Sequence, residues 1–273
     1  MKEKAIGFFD SGVGGLTVVR EVIKQLPHEK IIYIGDSARA PYGPRPVDQV
    51  QAFSWQLTEF LLKFDVKMIV IACNTATAVS LSSIKEKLNI PVVGVITPGS
   101  RAAIKASSEN KIAVLGTLGT IHSGEYEKAL KARNPFVDVL PLACPKFVPI
   151  VESNEVNTPN SKKIVRESLK PLQWKQYDAL ILGCTHYPLL RNQIQQTVGH
   201  SVTLIDSGAE TVSDVSMLLD YFELANSPSI EPKHEFYTTG SVAMFEQIAN
   251  AWLGEEKRNI QHVNIGELKD EEK

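Results

Sequence analysis

Short apolar runs alternate along the chain with longer stretches in which apolar residues recur every three or four positions. The short runs are typical of buried β-strands, and the longer stretches are typical of amphipathic helices. The pattern therefore predicts ten strands, with helices between most of them. The strands are AIGFF (5–9), IIYIG (31–35), MIVIA (68–72), VVGVI (92–96), IAVLG (112–116), VDVLP (137–141), ALILG (179–183), VTLI (202–205), EFYTT (235–239) and NIQHV (259–263).

The order of these elements indicates the class of fold. Strands and helices alternate, and most of the strands are apolar at nearly every position rather than at every second one. Such strands belong in parallel sheets that are covered by helices on both faces. We therefore predict an α/β protein.

The chain also contains an internal duplication. Strands one to four span 5–96, strands five to eight span 112–205, and the third strand of each quartet leads into a cysteine. The two motifs are KMIVIACNTAT (67–77) and DALILGCTHYP (178–188). We predict two similar parallel-sheet domains, related by pseudo-twofold symmetry, with the active site in the cleft between them.

The duplication also predicts the domain boundaries. The first domain should comprise 1–97 plus 207–265, and the second should comprise 98–206. The segment from 207 is expected to return to the first domain because the second already has its four strands. The mixed charges of 266–273 predict a frayed tail.

The residues that follow the two strands point to chemistry at Cys73 and Cys184. Ligands of open α/β sheets bind beyond the carboxyl ends of the strands, so the two cysteines would meet across one cleft. The polar residues after each cysteine would begin a helix, where free N–H groups and the helix dipole favour anions and lower the pKa of a thiol. Those residues are Asn74 and Thr75 in the first motif, and Thr185 and His186 in the second.

Other polar stretches are expected to face the same cleft. A carboxylate near a cysteine can take part in proton transfer or tune the thiol. The candidates are Asp10 and Ser11 after the first strand, Pro41, Tyr42 and Gly43 in the loop after the second, Thr117 at the end of the fifth, and Glu152 in the second domain.

Several of these residues also have a simpler interpretation. A cysteine at the end of a strand often only packs, and Cys144, which no polar residue follows directly, is expected to do so. Asp10 is also a suitable cap for the first helix, and His186 is compatible with a satisfied histidine at a helix start. The matched pair of motifs favours chemistry over packing for Cys73 and Cys184.

A further alternative comes from the glycines of DSGVGGLT. Gly12, Gly14 and Gly15 follow a strand and open a helix, and Asp36 follows the second strand, which resembles part of a dinucleotide-binding fingerprint. The match is partial because Thr17 stands at the third glycine position. A nucleotide site would also leave both cysteines unexplained.

The composition limits the cellular compartment and the binding partners that we expect for this protein. The 273 residues carry a net charge of −2 and no basic stripe, so nucleic acid is not expected as a main partner. No apolar run approaches the ~18 residues of a membrane span, and the first residues show no signal-peptide pattern. The 3 cysteines form no CxxC pair, which favours the reducing cytoplasm and argues against a zinc site.

Together the motifs closely resemble those of the glutamate racemases, within the cofactor-independent aspartate/glutamate racemase family. The resemblance covers nearly the whole chain. The related aspartate racemases share the paired cysteines, and DSGVGGLTV with PYG and CTHYPLL favours glutamate. The matching stretches are FFDSGVGGLTV (8–18), GDSARAPYG (35–43), ACNTATA (72–78), FVPIVE (147–152) and GCTHYPLL (183–190).

The resemblance implies that the protein interconverts L- and D-glutamate without a cofactor and supplies D-glutamate for peptidoglycan. It implies that Cys73 and Cys184 transfer the protons, the first for D-glutamate and the second for L-glutamate. Asp10, His186 and Glu152 would assist them. Glutamate is the expected partner, a homodimer the expected assembly, and neither a metal nor a membrane is expected. The substrate would be held by Asp10, Ser11, Tyr42, Gly43, Asn74, Thr75, Thr185 and His186, with Pro41 shaping the loop.

Two proton-transfer groups suit inversion of a carbon centre. One removes a proton from one face and the other returns a proton to the opposite face, so neither has to move. Two alternatives stay open at this point: a racemase of aspartate or another acidic amino acid, and a protein that binds an acidic amino acid without converting it.

Overall fold

The computed structural model describes residues 2–227, 231–255 and 257–266, and all ten predicted strands are present. Each begins and ends within two residues of its predicted bounds. The strands are β1 (Ile6–Asp10), β2 (Ile31–Gly35), β3 (Met68–Ile71), β4 (Val92–Gly94), β5 (Lys111–Gly116), β6 (Asp138–Ala143), β7 (Ala179–Gly183), β8 (Thr203–Asp206), β9 (Glu235–Thr238) and β10 (Asn259–His262).

The strands form two sheets, and within the described part of the chain every strand pair is parallel. The first sheet has the order β10-β9-β2-β1-β3-β4, and the second has the order β6-β5-β7-β8. The order β2-β1-β3-β4 thus recurs as β6-β5-β7-β8, which confirms the predicted α/β class with two similar parallel sheets. We call the part built on β1–β4, β9 and β10 the first lobe and the part built on β5–β8 the second lobe.

Helices cover both faces of each sheet. They are α1 (Leu16–Gln25), α2 (Val47–Leu62), α3 (Asn74–Lys87), α4 (Ile96–Ala106), α5 (Leu118–His122), α6 (Glu125–Lys131), α7 (Phe147–Glu152), α8 (Pro159–Ser168), α9 (Arg191–Val198), α10 (Ser207–Tyr221) and α11 (Val242–Leu253), with short 3₁₀ helices at Lys170–Leu172 and Tyr187–Leu190.

The two lobes exchange one helix each. Helix α4 follows β4 of the first lobe, yet its Ile96 and Ala103 lie in the core of the second lobe with Ile112 and Ile181. Helix α10 follows β8 of the second lobe, yet it packs on α1, and its buried apolar residues Val212, Val215 and Leu219 belong to the core of the first lobe. The two exchanged helices also contact each other, so the lobes are joined along α4 and α10.

The C-terminal part of the chain extends the first sheet. Strand β9 pairs with β2, and β10 pairs with β9 at the edge. The boundaries 1–97 plus 207–265 and 98–206 stay a prediction, and residues 267–273 of the predicted tail lie outside the described residues. None of the helices described is long and apolar enough to cross a membrane.

Candidate active site

Cys73 lies where β3 passes into α3. The side chain is buried and caps the helix, since its Sγ accepts a hydrogen bond from the Ala76 N–H at 3.4 Å. On its other side Sγ lies 3.7 Å from the hydroxyl oxygen of Ser11. The predicted helix N-terminus is therefore present at this cysteine.

Cys184 occupies the equivalent position after β7, but the segment that follows it differs. The chain first forms the 3₁₀ helix Tyr187–Leu190, and α9 begins only at Arg191. Thr185 and His186 thus directly precede a helix, as predicted, but its first turn is 3₁₀, since a short helical pattern in the sequence does not distinguish i+3 from i+4 hydrogen bonding. Cys184 is 6% exposed, and its Sγ contacts the side chain of His186.

His186 links Cys184 to a carboxylate. Its Nδ1 lies 3.8 Å from Cys184 Sγ, and its Nε2 lies 3.0 Å from Oε1 of Glu152, the last residue of α7. Burial lowers the pKa of the imidazole, but the hydrogen bonds to Cys184 and Glu152 outweigh burial and raise this pKa to about 10. His186 is therefore a cation at neutral pH and sits beside the sulfur.

Asp10 connects the two lobes at the centre of the cleft. It ends β1, is fully buried, and its Oδ1 accepts a hydrogen bond from the Gly12 N–H at 3.0 Å. The Thr185 hydroxyl of the second lobe donates to Asp10 Oδ2 at 3.4 Å, and the Thr17 hydroxyl donates to the Thr185 carbonyl at 2.9 Å. Burial raises the pKa of Asp10, while the His186 charge and the N–H donors oppose the rise.

The glycine loop between β1 and α1 allows the two lobes to lie in close contact. A Cβ atom on Gly14 would lie 2.2 Å from Thr185 Oγ1 and 2.5 Å from His186 Cε1. Asp36, the acidic residue of the dinucleotide alternative, instead accepts hydrogen bonds from Tyr42 and Thr239 inside the first lobe. Both observations favour a close-approach role for this loop over nucleotide binding.

The loop that carries Pro41, Tyr42 and Gly43 reaches the second lobe through its backbone. The Gly43 carbonyl accepts a hydrogen bond from the Gly119 N–H at 2.8 Å. The Tyr42 side chain is buried in the first lobe with its hydroxyl on Asp36, and Pro41 is exposed. Of these three residues, Gly43 therefore makes the contact across the cleft.

Asn74 and Thr75 contact residues of the second lobe, only one of which the sequence indicated. Thr75 Oγ1 lies 2.9 Å from Thr117 Oγ1, which the sequence did indicate, and 3.2 Å from Thr120 Oγ1. Tyr126 donates a hydrogen bond to the amide oxygen of Asn74 at 2.6 Å. Thr120 and Tyr126 were missed because nothing in their local sequence marks them, and only the packing of the lobes brings them to the cleft.

The expected acidity of the thiols is not found at Cys73. Burial, together with the charge of Asp10, raises the pKa of Cys73 to about 12, although the Ala76 N–H and Ser11 oppose the rise. The helix terminus was predicted to lower this pKa, but complete burial outweighs it. Cys144 packs into the core of the second lobe, and burial likewise raises its pKa to about 12.

The site has no obvious metal-binding group. Among the residues that the structure describes, no cluster of three or more His, Cys, Asp or Glu side chains is arranged to hold a metal ion. Cys184 makes the smallest of the contributions that raise the pKa of Cys73. The arrangement therefore offers two thiols, one cation and two carboxylates at the seam of the lobes.

Comparison with known proteins identifies the family. The profile described as Asp/Glu/Hydantoin racemase matches residues 11–215, a span that contains both cysteine motifs. The chain belongs to this family. It is 61% identical to the glutamate racemase of Enterococcus faecalis, with 97% of each chain covered.

Solved structures of this racemase family share the fold. A glutamate racemase isoform from Bacillus anthracis matches with a TM-score of 0.94 and 47% identity, covering 97% of this chain and 99% of that one. The glutamate racemase of Francisella tularensis in complex with D-glutamate matches with a TM-score of 0.91 and 34% identity, covering 97% and 99% of the two chains. The racemase family predicted from the motifs is thereby confirmed.

Replacing Glu152 with glutamine should lower the pKa of His186 from about 10, because the imidazolium loses one of the two partners that raise it. The direction of this pKa shift also determines how the free energy of unfolding changes with pH. A raised histidine pKa stabilises the folded state fully below the unfolded value of ~6.5, and this contribution disappears as pH rises through the folded pKa. The variant should therefore unfold more easily than the wild type at neutral pH, with the difference vanishing above about pH 10.

NMR titration of the His186 ring and urea unfolding at several pH values would measure both effects. Glu155→Gln is the matched control, because Glu155 is exposed three residues further on and contacts Asn160 rather than the imidazole. An unchanged His186 pKa in Glu152→Gln would contradict the assignment of the ion pair.

Proposed function

We propose that this member of the racemase family interconverts L- and D-glutamate by two proton transfers, with Cys73 and Cys184 on opposite faces of the α-carbon. The observation that carries the proposal is the duplication itself. The two sheets share one strand order, and in each lobe a buried cysteine follows the third strand along the chain. A hydrogen bond from Thr185 to Asp10 connects the two strand ends. Packing alone would not require this correspondence.

In the proposed reaction, one cysteine enters as a thiolate and the other as a thiol. The thiolate takes the α-proton, and the electron pair of the C–H bond stays on carbon as a carbanion. The opposite thiol then donates its proton to the other face of that carbon and becomes the new thiolate. Cys73 acts on D-glutamate and Cys184 acts on L-glutamate.

Charges in the cleft support the two protonation states. The protonated His186 lies 3.8 Å from Cys184 Sγ, while burial together with the charge of Asp10 raises the pKa of Cys73. The ammonium group of a bound amino acid would add a positive charge and make ionisation of Cys73 easier. Asp10, His186 and Glu152 thus assist the cysteines.

The substrate carboxylates require hydrogen-bond donors. The Asn74 amide nitrogen is buried without a partner in the described residues, and Ser11, Thr75 and Thr185 bring hydroxyl groups to the seam. The loop around Gly43 closes the same region from the first lobe. A dry site of fixed donors also stabilises charge that develops during proton removal.

Glutamate is the proposed substrate because full-length relatives with 55–61% identity are named glutamate racemases. One of the solved relatives is described in complex with D-glutamate. We also propose that the reaction needs no cofactor, that its product supplies D-glutamate to peptidoglycan, and that the chain works as a homodimer in the cytoplasm. The three free cysteines support a reducing compartment.

Circular dichroism near 200 nm tests the function. Dialysed protein with no added cofactor should abolish the signal of L-glutamate and of D-glutamate, while L-aspartate should keep its signal. Loss of the aspartate signal alone would support the aspartate alternative. Binding of glutamate by calorimetry with a constant optical signal would contradict the racemase proposal and support a binding protein.

A further inference from the structure

The side-chain amide of Asn74 is held at one end and free at the other. Its Oδ1 accepts a hydrogen bond from the Tyr126 hydroxyl at 2.6 Å, and the Ser207 hydroxyl lies 3.5 Å from the same oxygen. Its Nδ2 is buried and has no hydrogen-bond partner in the described part of the chain. A buried N–H₂ group without a partner is uncommon, and it indicates a place for a ligand.

The Tyr126 hydroxyl decides which end of the amide is held. Tyr126 is 3% exposed, and its burial raises the pKa of the phenol, so the hydroxyl keeps its proton and acts as a donor. The Ser207 hydroxyl lies nearer to the Leu182 carbonyl, at 3.1 Å. The phenol is therefore the closer donor to Asn74, and its hydrogen bond fixes the oxygen end of the amide. The amide nitrogen is left for another partner.

Tyr126 also contacts both cysteine motifs. It lies on α6 of the second lobe, whereas Asn74 directly follows Cys73 in the first. Its ring packs on Gly183, the residue before Cys184, where a Cβ atom would lie 3.0 Å from Tyr126 Cε2. The Tyr126–Asn74 hydrogen bond therefore forms only when the lobes are packed as they are here.

We infer that Tyr126 is a positioning residue, which orients the Asn74 amide so that its N–H₂ group is presented to a carboxylate of the substrate when the lobes close. The inference rests on the proposed function, in which Asn74 binds glutamate. Without the phenol hydroxyl, only the long 3.5 Å contact with Ser207 holds the amide oxygen, and the amide can then turn its carbonyl oxygen toward the anionic substrate.

Tyr126→Phe keeps the ring and removes the hydroxyl. It should raise KM for both enantiomers by about tenfold, the size of one charge-assisted hydrogen bond, and should change kcat less. Tyr237→Phe is the matched control, because Tyr237 is also buried and donates one hydrogen bond, to Glu235 at 2.8 Å, but lies on β9 away from Asn74. Its kinetic constants should match those of the wild type.

A double-mutant cycle separates positioning from general destabilisation. If Tyr126 acts through Asn74, Tyr126→Phe should add nothing to the KM of Asn74→Ala. Additive increases in KM would overturn the inference, because Tyr126 would then act by another route. Thermal unfolding of each variant shows whether the fold persists.

NMR provides a measurement that does not require turnover. In protein labelled with ¹⁵N-asparagine, the side-chain amide signal of Asn74 is identified by its absence in Asn74→Ala. The signal should shift in Tyr126→Phe and stay in place in Tyr237→Phe. An unmoved signal in Tyr126→Phe would overturn the inference, whereas failure of the wild type to racemise glutamate would count against the proposed function alone.

Discussion

Replacing Cys184 with alanine should reduce racemisation of glutamate about a thousandfold, the range in which a positioned acid or base contributes. Cys73 would still remove the α-proton of D-glutamate, but no thiol would remain on the opposite face to complete the inversion. In deuterated water, D-glutamate should therefore slowly gain α-deuterium while it stays D. L-Glutamate should not exchange, because the group that removes its proton is missing.

Cys73→Ala should give the mirror result, with exchange into L-glutamate only. NMR of the α-position together with chiral chromatography measures exchange and inversion separately. Cys144→Ala is the matched control, since Cys144 is a fully buried cysteine that packs in the core of the second lobe. It should racemise both enantiomers. Racemisation by Cys184→Ala or Cys73→Ala at a rate near that of the wild type would refute the two-base mechanism.

Replacing Gly14 with alanine should lower kcat/KM by about a hundredfold while the protein stays folded. The added methyl group would meet Thr185 Oγ1 at 2.2 Å and His186 at 2.5 Å, so these two residues or the whole second lobe must move. A displacement of about 1 Å at reacting groups costs on the order of 10²-fold in rate. The steady-state kinetics of both directions measure the loss.

Gly12→Ala is the control within the same loop. A Cβ atom there would meet its nearest neighbours, Ala40 Cβ and Ser37 Oγ, at the ordinary separations of 3.6 and 3.9 Å. This variant should be nearly as active as the wild type. Equal losses in the two variants would mean that the loop is generally sensitive, and the close approach of Gly14 to the second lobe would not explain its role.

The strands were predictable because burial on both faces of a sheet demands continuous apolar runs. β2 (Ile31–Gly35) and β7 (Ala179–Gly183) have the predicted bounds, and every residue in them is buried. The paired cysteine motifs were predictable for the same reason, since a duplicated strand order puts equivalent residues at equivalent strand ends.

Features that depend on the packing of one lobe against the other were not predictable. Tyr126 and Ser207 reach Asn74 from other parts of the chain, and neither carries a local pattern that marks it. The pKa of Cys73 was misjudged because the helix start is visible in the sequence but the burial of the thiol is not. Local sequence patterns thus predicted which residues lie at the site, whereas contacts between distant parts of the chain determine their burial and their hydrogen-bond partners.

The exchange of α4 and α10 has a consequence for the two halves as folding units. In each half of the duplication, the helix after the fourth strand packs on the core of the other half. This is the arrangement of a domain swap within one polypeptide. Cut between β4 and α4, the chain would yield one fragment without α10 over its core and another in which α4 still packs on the core of the second lobe. The first lobe is therefore not an autonomous unit, because the helix that covers its core comes from beyond the second lobe, whereas the second lobe keeps α4 within one continuous stretch of chain.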